Sequence, residues 1–408
     1  MRILFISYEL PPLGGGGGRA ALEIARRLAA RGHGVRILSS LFPGLPERES
    51  DAGVEIVRFP VRRKRMDACR PMELLSFMRR SLSAASRAAE EFRPEIVCAF
   101  FGIPGGPAAW WLRRRKGLPY VLALRGSDVP RPELAAHQGL HRFTRPFLRR
   151  IYRAAGAIVA VSEALRHAAL AVEPRVEVQV VPNGIDLAWF NPEPVRPLSG
   201  QEVELLFVGR LQEFKGVQHA ISALPSIEQR LGRPVRLVVA GDGPYRGELE
   251  RMAGQLPQGR VRFAGWVAEK DLRALYRSGA LLVLPSLVEG HPNAILQAMA
   301  MGLPSIGTDA PGIRETIEAG GDGLLFAPND PASLAEAAVR VLSDAALYES
   351  MSRRARIRAA EFTWDRVADR YERILLDAAG DVGQAPSPAE SPQPRAAAPH
   401  DDLPGAAR

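Results

Sequence analysis

Short apolar runs punctuate the first half of the chain at Ile3–Ser7, Val35–Ser39, Val54–Phe59, Ile96–Phe101, Tyr120–Leu124, Ala157–Val161 and Val176–Val181. Between them lie stretches with helical spacing of apolar positions, including Arg19–Ala30, Met72–Glu91 and Pro107–Arg115. Runs of this length read as buried strands, and their alternation with helices predicts a mostly parallel sheet covered on both faces. Pro192, Pro194 and Pro197 then break the pattern and mark a linker. A second series follows at Val203–Val208, Val235–Ala240, Val261–Phe263, Ala280–Leu284, Ser305–Gly307 and Gly323–Phe326. The chain is therefore expected to be α/β, with two tandem Rossmann-like, doubly wound domains (residues 1–190 and 196–362) facing a cleft. Residues 380–408 turn to Pro, Ala, Ser and Gln, the composition of a disordered tail.

Composition supports this division. A chain of 408 residues exceeds one ordinary core, and 46% hydrophobic with 24% charged residues is typical of soluble globular proteins. No apolar run approaches the roughly 20 residues of a membrane span. The N-terminus meets Glu9 and two prolines directly after its apolar core, so it reads as a first strand and not as a secretory signal. Cys69 and Cys98 form no ligand-spaced pair, which points to a reducing, cytoplasmic setting.

The formal charge of +9 comes almost wholly from arginine, the lysines being Lys64, Lys116, Lys215 and Lys270. No nucleic-acid-binding module is visible, so the excess suggests phosphorylated substrates or an anionic membrane face. Two basic stretches bear on the second reading. Arg62-Arg63-Lys64-Arg65 sits in a predicted loop. Residues 139–153 interleave arginine with Phe143, Phe147, Leu148, Ile151 and Tyr152, which suits a helix lying on an anionic membrane, although a solvated amphipathic helix has the same composition.

The chemistry concentrates in the turns that follow strands. Leu284-Pro285-Ser286-Leu287-Val288-Glu289-Gly290-His291-Pro292-Asn293 carries one acid into a helix, with Pro292 suited to the first helical turn. Free backbone N–H groups and Glu289 would then converge on one point. Gly14–Gly18 places five glycines at the first strand-to-helix turn, a pattern read as close approach of a phosphate and not as packing. Its match to a dinucleotide-binding fingerprint lacks the ribose-binding acid after the second strand. Arg125-Gly126-Ser127-Asp128 follows another strand, with Asp128 able simply to cap the turn. Gly209-Arg210-Leu211 and Lys215-Gly216 set a guanidinium and an ammonium beside a helix start, where they could neutralise a diphosphate. Gly241-Asp242-Gly243-Pro244 and Ala310-Pro311-Gly312 complete a set of turns at strand C-terminal ends, all facing one crevice.

Taken in order, and with Val181-Pro182-Asn183-Gly184-Ile185-Asp186 between them, these motifs resemble the family-4 glycosyltransferases of GT-B fold. The resemblance implies retaining transfer of a sugar from a nucleotide-sugar. It implies that Arg210 and Lys215 hold the diphosphate and that Glu289 contacts the transferring sugar. Gly290, His291, Pro292 and Asn293 would complete that pocket, with Gly209 and Gly243 nearby. Gly16 and Gly17 would approach from the opposite domain, and Arg125 and Asp128 would lie on the acceptor side. Phe362-Thr363-Trp364 resembles the start of the family's last helix, so residues 363–378 are expected to pack back on the first domain. Two residues depart from the family. Gln297 stands where a second glutamate usually contacts the ribose, and an amide can still bond a diol. Arg125 replaces a frequent histidine and cannot serve as a base.

Loosening a bond from the sugar's C1 to a diphosphate builds negative charge on the leaving group, which fixed positive groups stabilise. Arg210 and Lys215 supply that charge without a metal or cofactor, and no Asp-x-Asp pair suggests one. No acid is an obvious nucleophile for double displacement, which favours the same-face departure and attack that the resemblance implies. The anticipated partners are a nucleotide-sugar and a glycan, lipid-linked or small-molecule acceptor, in polysaccharide or glycolipid synthesis, with no nucleic acid. The expected location is cytoplasmic, at the inner face of the membrane if the basic stretches engage it. The rivals are a catalytically weak nucleotide-sugar or glycan-binding module, a nucleotide-sugar epimerase of similar architecture, and a nicotinamide oxidoreductase resting on the glycine loop alone.

Overall fold

A computed structural model describes residues 1–66, 69–126, 128–130, 138–191 and 202–380, with 138–143 described as helical backbone only. The expected linker prolines, Ser127 and the tail beyond Gly380 lie outside the described residues.

The first domain runs β1 (Arg2–Ile6), α1 (Gly16–Ala30), β2 (Gly34–Leu41), β3 (Arg48–Asp51), β4 (Val54–Pro60), α2 (Pro71–Glu91), β5 (Ile96–Phe100), α3 (Gly106–Lys116), β6 (Tyr120–Leu124), α4 (Gln138–Ala154), β7 (Ala157–Ala160), α5 (Glu163–Val172) and β8 (Val178–Val180). Its sheet order is β3-β4-β2-β1-β5-β6-β7-β8. Every pairing is parallel except β3 with β4. Ile3–Ile6, Ile96–Phe100 and Tyr120–Leu124 are wholly buried, as strands covered on both faces must be. β3 escapes the hydrophobic pattern because Arg-Glu-Ser-Asp is a polar, solvent-facing edge strand.

The second domain runs β9 (Val203–Val208), α6 (Val217–Leu231), β10 (Val235–Ala240), α7 (Arg246–Ala253), β11 (Val261–Gly265), α8 (Glu269–Ser278), β12 (Leu281–Leu284), α9 (Asn293–Ala300), β13 (Ser305–Thr308), β14 (Gly323–Phe326), α10 (Pro331–Ser343), α11 (Ala345–Ala359) and α12 (Trp364–Gly380). Its all-parallel order β11-β10-β9-β12-β13-β14 encloses a single apolar core. α12 leaves this domain and buries Trp364, Tyr371, Ile374 and Leu375 in the core of the first, beside α1.

Each sheet reverses its strand order once, between β1 and β5 and between β9 and β12. Loops diverge at such a switch point and leave a crevice outside the strand ends. The Gly14–Gly18 turn opens from one crevice, and the Arg210–Lys215 and Glu289 turns open from the other. α4 corrects the reading of residues 139–153 as a membrane-facing stretch. Leu148, Ile151 and Tyr152 are buried in the first domain's core. Arg145 and Arg149 donate to the carbonyls of Ala171 and Val172 at the end of α5, and Arg153 pairs with Glu173 at 2.6 Å. The apolar side of the described part of α4 is thus internal packing, while Arg145, Arg150 and Arg153 stay exposed.

Candidate active site

Two turns of the second domain interlock at its switch point. Lys215 ends a short 3₁₀ turn (Glu213–Lys215) just before α6, with Gly216 at φ +71°. A side chain at Gly216 would collide with the carbonyl of Pro285, so glycine is needed for the close approach as well as for its backbone angle. The N–H of Leu287 donates to the carbonyl of Phe214 at 2.8 Å, fixing the two turns together. Lys215 Nζ thereby reaches Glu289 Oε1 at 2.6 Å, with side chains 15% and 13% exposed. Behind this pair, a side chain at Gly312 would meet the carbonyls of Glu289 and Gly290, so the Ala310-Pro311-Gly312 turn forms the wall of the loop. Gly241 and Gly243 abut the carbonyls of Gly209 and Leu211 in the same manner, and the N–H of Leu211 donates to Asp242 O at 2.9 Å. Gly243 thus supports the Gly209–Arg210 turn from behind. Arg210 itself is exposed. It lies near enough to Tyr8 of the first domain to oppose the rise in the Tyr8 pKa that burial causes.

The cleft is closed. A side chain at Gly16 would strike the amide of Asn293, at the first residue of α9. Asn183, in the turn after β8, donates from Nδ2 to the carbonyl of His291 and to Asn293 Oδ1, both at 2.9 Å. Arg19 of α1 pairs with Glu269 of α8. Glu315 of the second domain accepts from the N–H groups of Glu163 and Ala164, at 2.6 and 2.9 Å, and so caps α5 of the first. A narrow recess between the domains is lined by Arg19, Gly184, Ile185, Asn293, Gln297 and Trp364. There the buried Gln297 accepts from the Tyr276 hydroxyl at 2.8 Å.

Several residues sit differently from the sequence expectation. The glycine run serves packing after all: Gly17 abuts the Phe101 ring, Gly18 abuts the backbone of Glu9, and Gly14, at φ +84°, abuts its side chain. Only Gly15 of the five has open space, and its N–H donates to Glu9 Oε2 at 3.1 Å. α1 accordingly begins at Gly16 and not at Arg19. Pro292 is the N-cap of α9, outside the first turn, with an extended backbone. The His291 ring turns inward against Phe362, and burial first, with Arg125 and Arg358 adding to it, lowers its pKa to about 3. It is neutral, and its carbonyl rather than its ring engages the interdomain contact.

Asp128 braces a loop where an acceptor contact was expected. Its carboxylate accepts from the N–H groups of Gly102 (2.7 Å), Arg125 (3.0 Å) and Gly126 (2.8 Å). Arg125 turns its guanidinium to Asn183 and stacks over Phe100 at 5.4 Å, close to Tyr371 of α12. It is committed to the hinge and α12, and burial holds its pKa below the ordinary value. Sequence reasoning gave no role to Asn183, Glu315, Tyr276 or Glu9. The Pro-Asn-Gly turn hinted at the first, but nothing local distinguishes Glu315 from any acid after a turn.

A cleft between two doubly wound domains, with a glycine turn at one switch point and the Arg210, Lys215 and Glu289 turns at the other, is the architecture of the GT-B class. Comparison with known proteins agrees along the chain. Residues 14–189 match the profile described as Glycosyltransferase Family 4, and residues 202–344 match Glycosyl transferases group 1. The glycogen synthase of Mycobacterium tuberculosis is 30% identical over 396 residues, covering 93% of this chain and 95% of that protein. Among solved structures, sucrose-phosphate synthase from Thermosynechococcus elongatus superposes with a TM-score of 0.79 at 22% identity, covering 92% of this chain and 98% of that one. Anabaena Alr3699/HepE, solved in complex with UDP-glucose, gives 0.73 at 21% identity, covering 92% and 99%. The chain belongs to the family-4 glycosyltransferases and has their GT-B fold.

Proposed function

We propose that the protein is a retaining, metal-independent transferase that moves a hexose from a nucleoside-diphosphate-sugar to an acceptor hydroxyl. The observation carrying this reading is the Lys215–Glu289 pair at 2.6 Å, placed at the switch point with Arg210 on the adjoining turn. A diphosphate entering there meets two cationic side chains in a site that a second domain closes over. Coulombic stabilisation of the departing diphosphate is strengthened when water is excluded. As the phosphates engage Lys215, a sugar hydroxyl donates to Glu289 in its place. Gly16 and Asn293 narrow the space above, and Gln297 offers its amide to the ribose in the recess. The acceptor's proton passes to a phosphate oxygen of the leaving group as its oxygen bonds to C1 on the face the phosphate leaves, so no enzyme base is required.

The UDP-glucose bound in Alr3699/HepE makes uridine diphosphate hexoses the first donors to try. The test is to screen nucleotide-sugars for binding and slow hydrolysis. The anomeric configuration of the transferred sugar is then read by NMR, with and without a chelator. Retention and chelator-insensitive turnover are expected. An inverted product, or activity abolished by chelation and restored by a divalent ion, would overturn the respective part. Binding without any hydrolysis or transfer would favour the binding-module reading.

A further inference from the structure

We propose that the face formed by Arg62–Met66 and the first turns of α2, beside the cleft mouth, docks on an anionic lipid bilayer. Three of the seven large apolar side chains exposed among the described residues fall here: Met66 at 42%, Met72 at 68% and Leu75 at 43%. On α2, Met72, Leu75, Arg79 and Arg80 follow the spacing i, i+3, i+7, i+8 and share one face, which Arg87 continues. The opposite face, with Phe77, Ser81, Ala85 and Ala88, is buried in the domain. A helix stripe that joins methionine and leucine to arginine suits the boundary between headgroups and acyl chains.

The charge of this face is one-sided. Residues 61–80 contain seven basic residues against Asp67 and Glu73, and six of the seven (62, 64, 65, 70, 79 and 80) are exposed, Arg63 being buried. Glu73 is buried, and its carboxylate accepts from the N–H groups of Arg70 at 2.9 Å and Lys64 at 3.3 Å, so it presents little negative charge outward. Among the described residues, no ion pair engages Arg62, Lys64, Arg70, Arg79 or Arg80. The contrast with α4 is informative, because there Arg145, Arg149 and Arg153 are held by the end of α5 and Glu173. Basic groups left without acidic partners beside exposed apolar ones match a surface that supplies both anions and hydrocarbon.

The face is rigidly tied to the cleft. Arg63 is buried and donates to the carbonyls of Tyr8 (3.0 Å), Arg65 (2.9 Å) and Met66 (2.8 Å). The carbonyl of Met66 also accepts from the N–H of Gly14 at 2.7 Å. Docking here would bring the glycine turn of the first domain up to the bilayer, where a lipid-linked acceptor hydroxyl would be presented. That consequence rests on the proposed transfer reaction, whereas the docking itself does not.

The test is flotation of the full chain with vesicles of phosphatidylcholine, alone or with about one third phosphatidylglycerol. Co-flotation is expected only with the anionic vesicles. The triple variant R62E/R79E/R80E should lose it about tenfold, and M72S/L75S should lose it several-fold at low salt. Arg150→Glu on α4 should float like the parent. Unchanged thermal unfolding midpoints establish that the exposed substitutions leave the fold intact. The proposal fails if the parent does not float with anionic vesicles, or if both α2 variants float as it does. It also fails if M72S/L75S has no effect while R62E/R79E/R80E abolishes equal binding to single-stranded nucleic acid, which would mark a general polyanion patch. Flotation does not depend on turnover, so its failure and that of the transfer reaction are separable.

Discussion

Lys215 donates to Glu289 at 2.6 Å, joining the side chain assigned to the diphosphate with the one assigned to the sugar. The pair is mostly buried, so separating it without replacement would leave charges poorly solvated. A donor that brings phosphate to the lysine and a hydroxyl to the carboxylate replaces both halves at once. On the proposed reading, the pair keeps each group in place for the sugar donor and discriminates against ligands that satisfy only one of them.

Substituting either cation should reveal its part in the reaction. Lys215→Ala and Arg210→Ala are each expected to lower turnover by about 100-fold or more, the scale of losing a preorganised charge at a developing anion. Lys215→Ala combined with Glu289→Gln should cost less than the product of the two single losses, because groups in contact do not act additively. Steady-state kinetics with the identified donor measures both effects. Turnover near normal in both single variants would remove the diphosphate assignment.

Both sheets and nearly all their strands were legible in the sequence, because buried parallel strands must be apolar throughout. β3 was not, since an exposed edge strand carries no such constraint. The Arg210, Lys215 and Glu289 turns could be placed in one crevice by topology alone. What lay beyond reach was the destination of long polar side chains. Arg125 and Asp128 follow a strand to the cleft, yet Asp128 is taken up by three backbone N–H groups and Arg125 by Asn183. Their partners lie on distant segments that no local pattern links to them. The glycine run misled for the same reason: the Phe101 ring and the Asn293 amide that demand small residues are remote in sequence.

The environment of Gln297 makes its replacement by glutamate informative. Tyr276 donates its hydroxyl to Gln297 Oε1 at 2.8 Å, and a carboxylate in the same place can accept that bond and retain a second oxygen for a ribose diol. Gln297→Glu should therefore keep or improve sugar-donor affinity. Tyr276→Phe should weaken it by roughly 2- to 10-fold, as for one net hydrogen bond that orients the amide. Calorimetric titration decides the matter, and a large loss in Gln297→Glu would mean that the amide N–H is itself required.

Closure of the cleft should depend on Glu315. Its carboxylate caps α5 across the domain boundary, where a negative charge at a helix N-terminus contributes about 0.3–1 kcal/mol, up to ~2 in partly buried sites. Glu315→Ala should shift the population toward open forms, raising KM for the nucleotide-sugar by roughly 2- to 10-fold with a smaller effect on kcat. Small-angle scattering should show a larger radius of gyration. If neither scattering nor KM moves, the contact contributes nothing to closure.

His291 should make folding stability sensitive to acid. Its ring is buried against Phe362 and its pKa is lowered to about 3, whereas in the unfolded chain it titrates near ~6.5. Between those values the unfolded state binds more protons than the folded one, so stability rises with pH in that window. The contribution is fully present above about pH 6.5 and is progressively lost as pH falls toward 3. Asp322 acts in the opposite sense, because burial raises its pKa to about 6 and protonation then favours the folded state. Comparing the parent with His291→Phe cancels that term, since Asp322 is common to both. Urea unfolding at pH 7, 6, 5 and 4 should show the parent losing stability relative to the variant at each step below about 6.5. A constant difference across the series would mean that the ring is protonated in the fold as readily as in the unfolded chain.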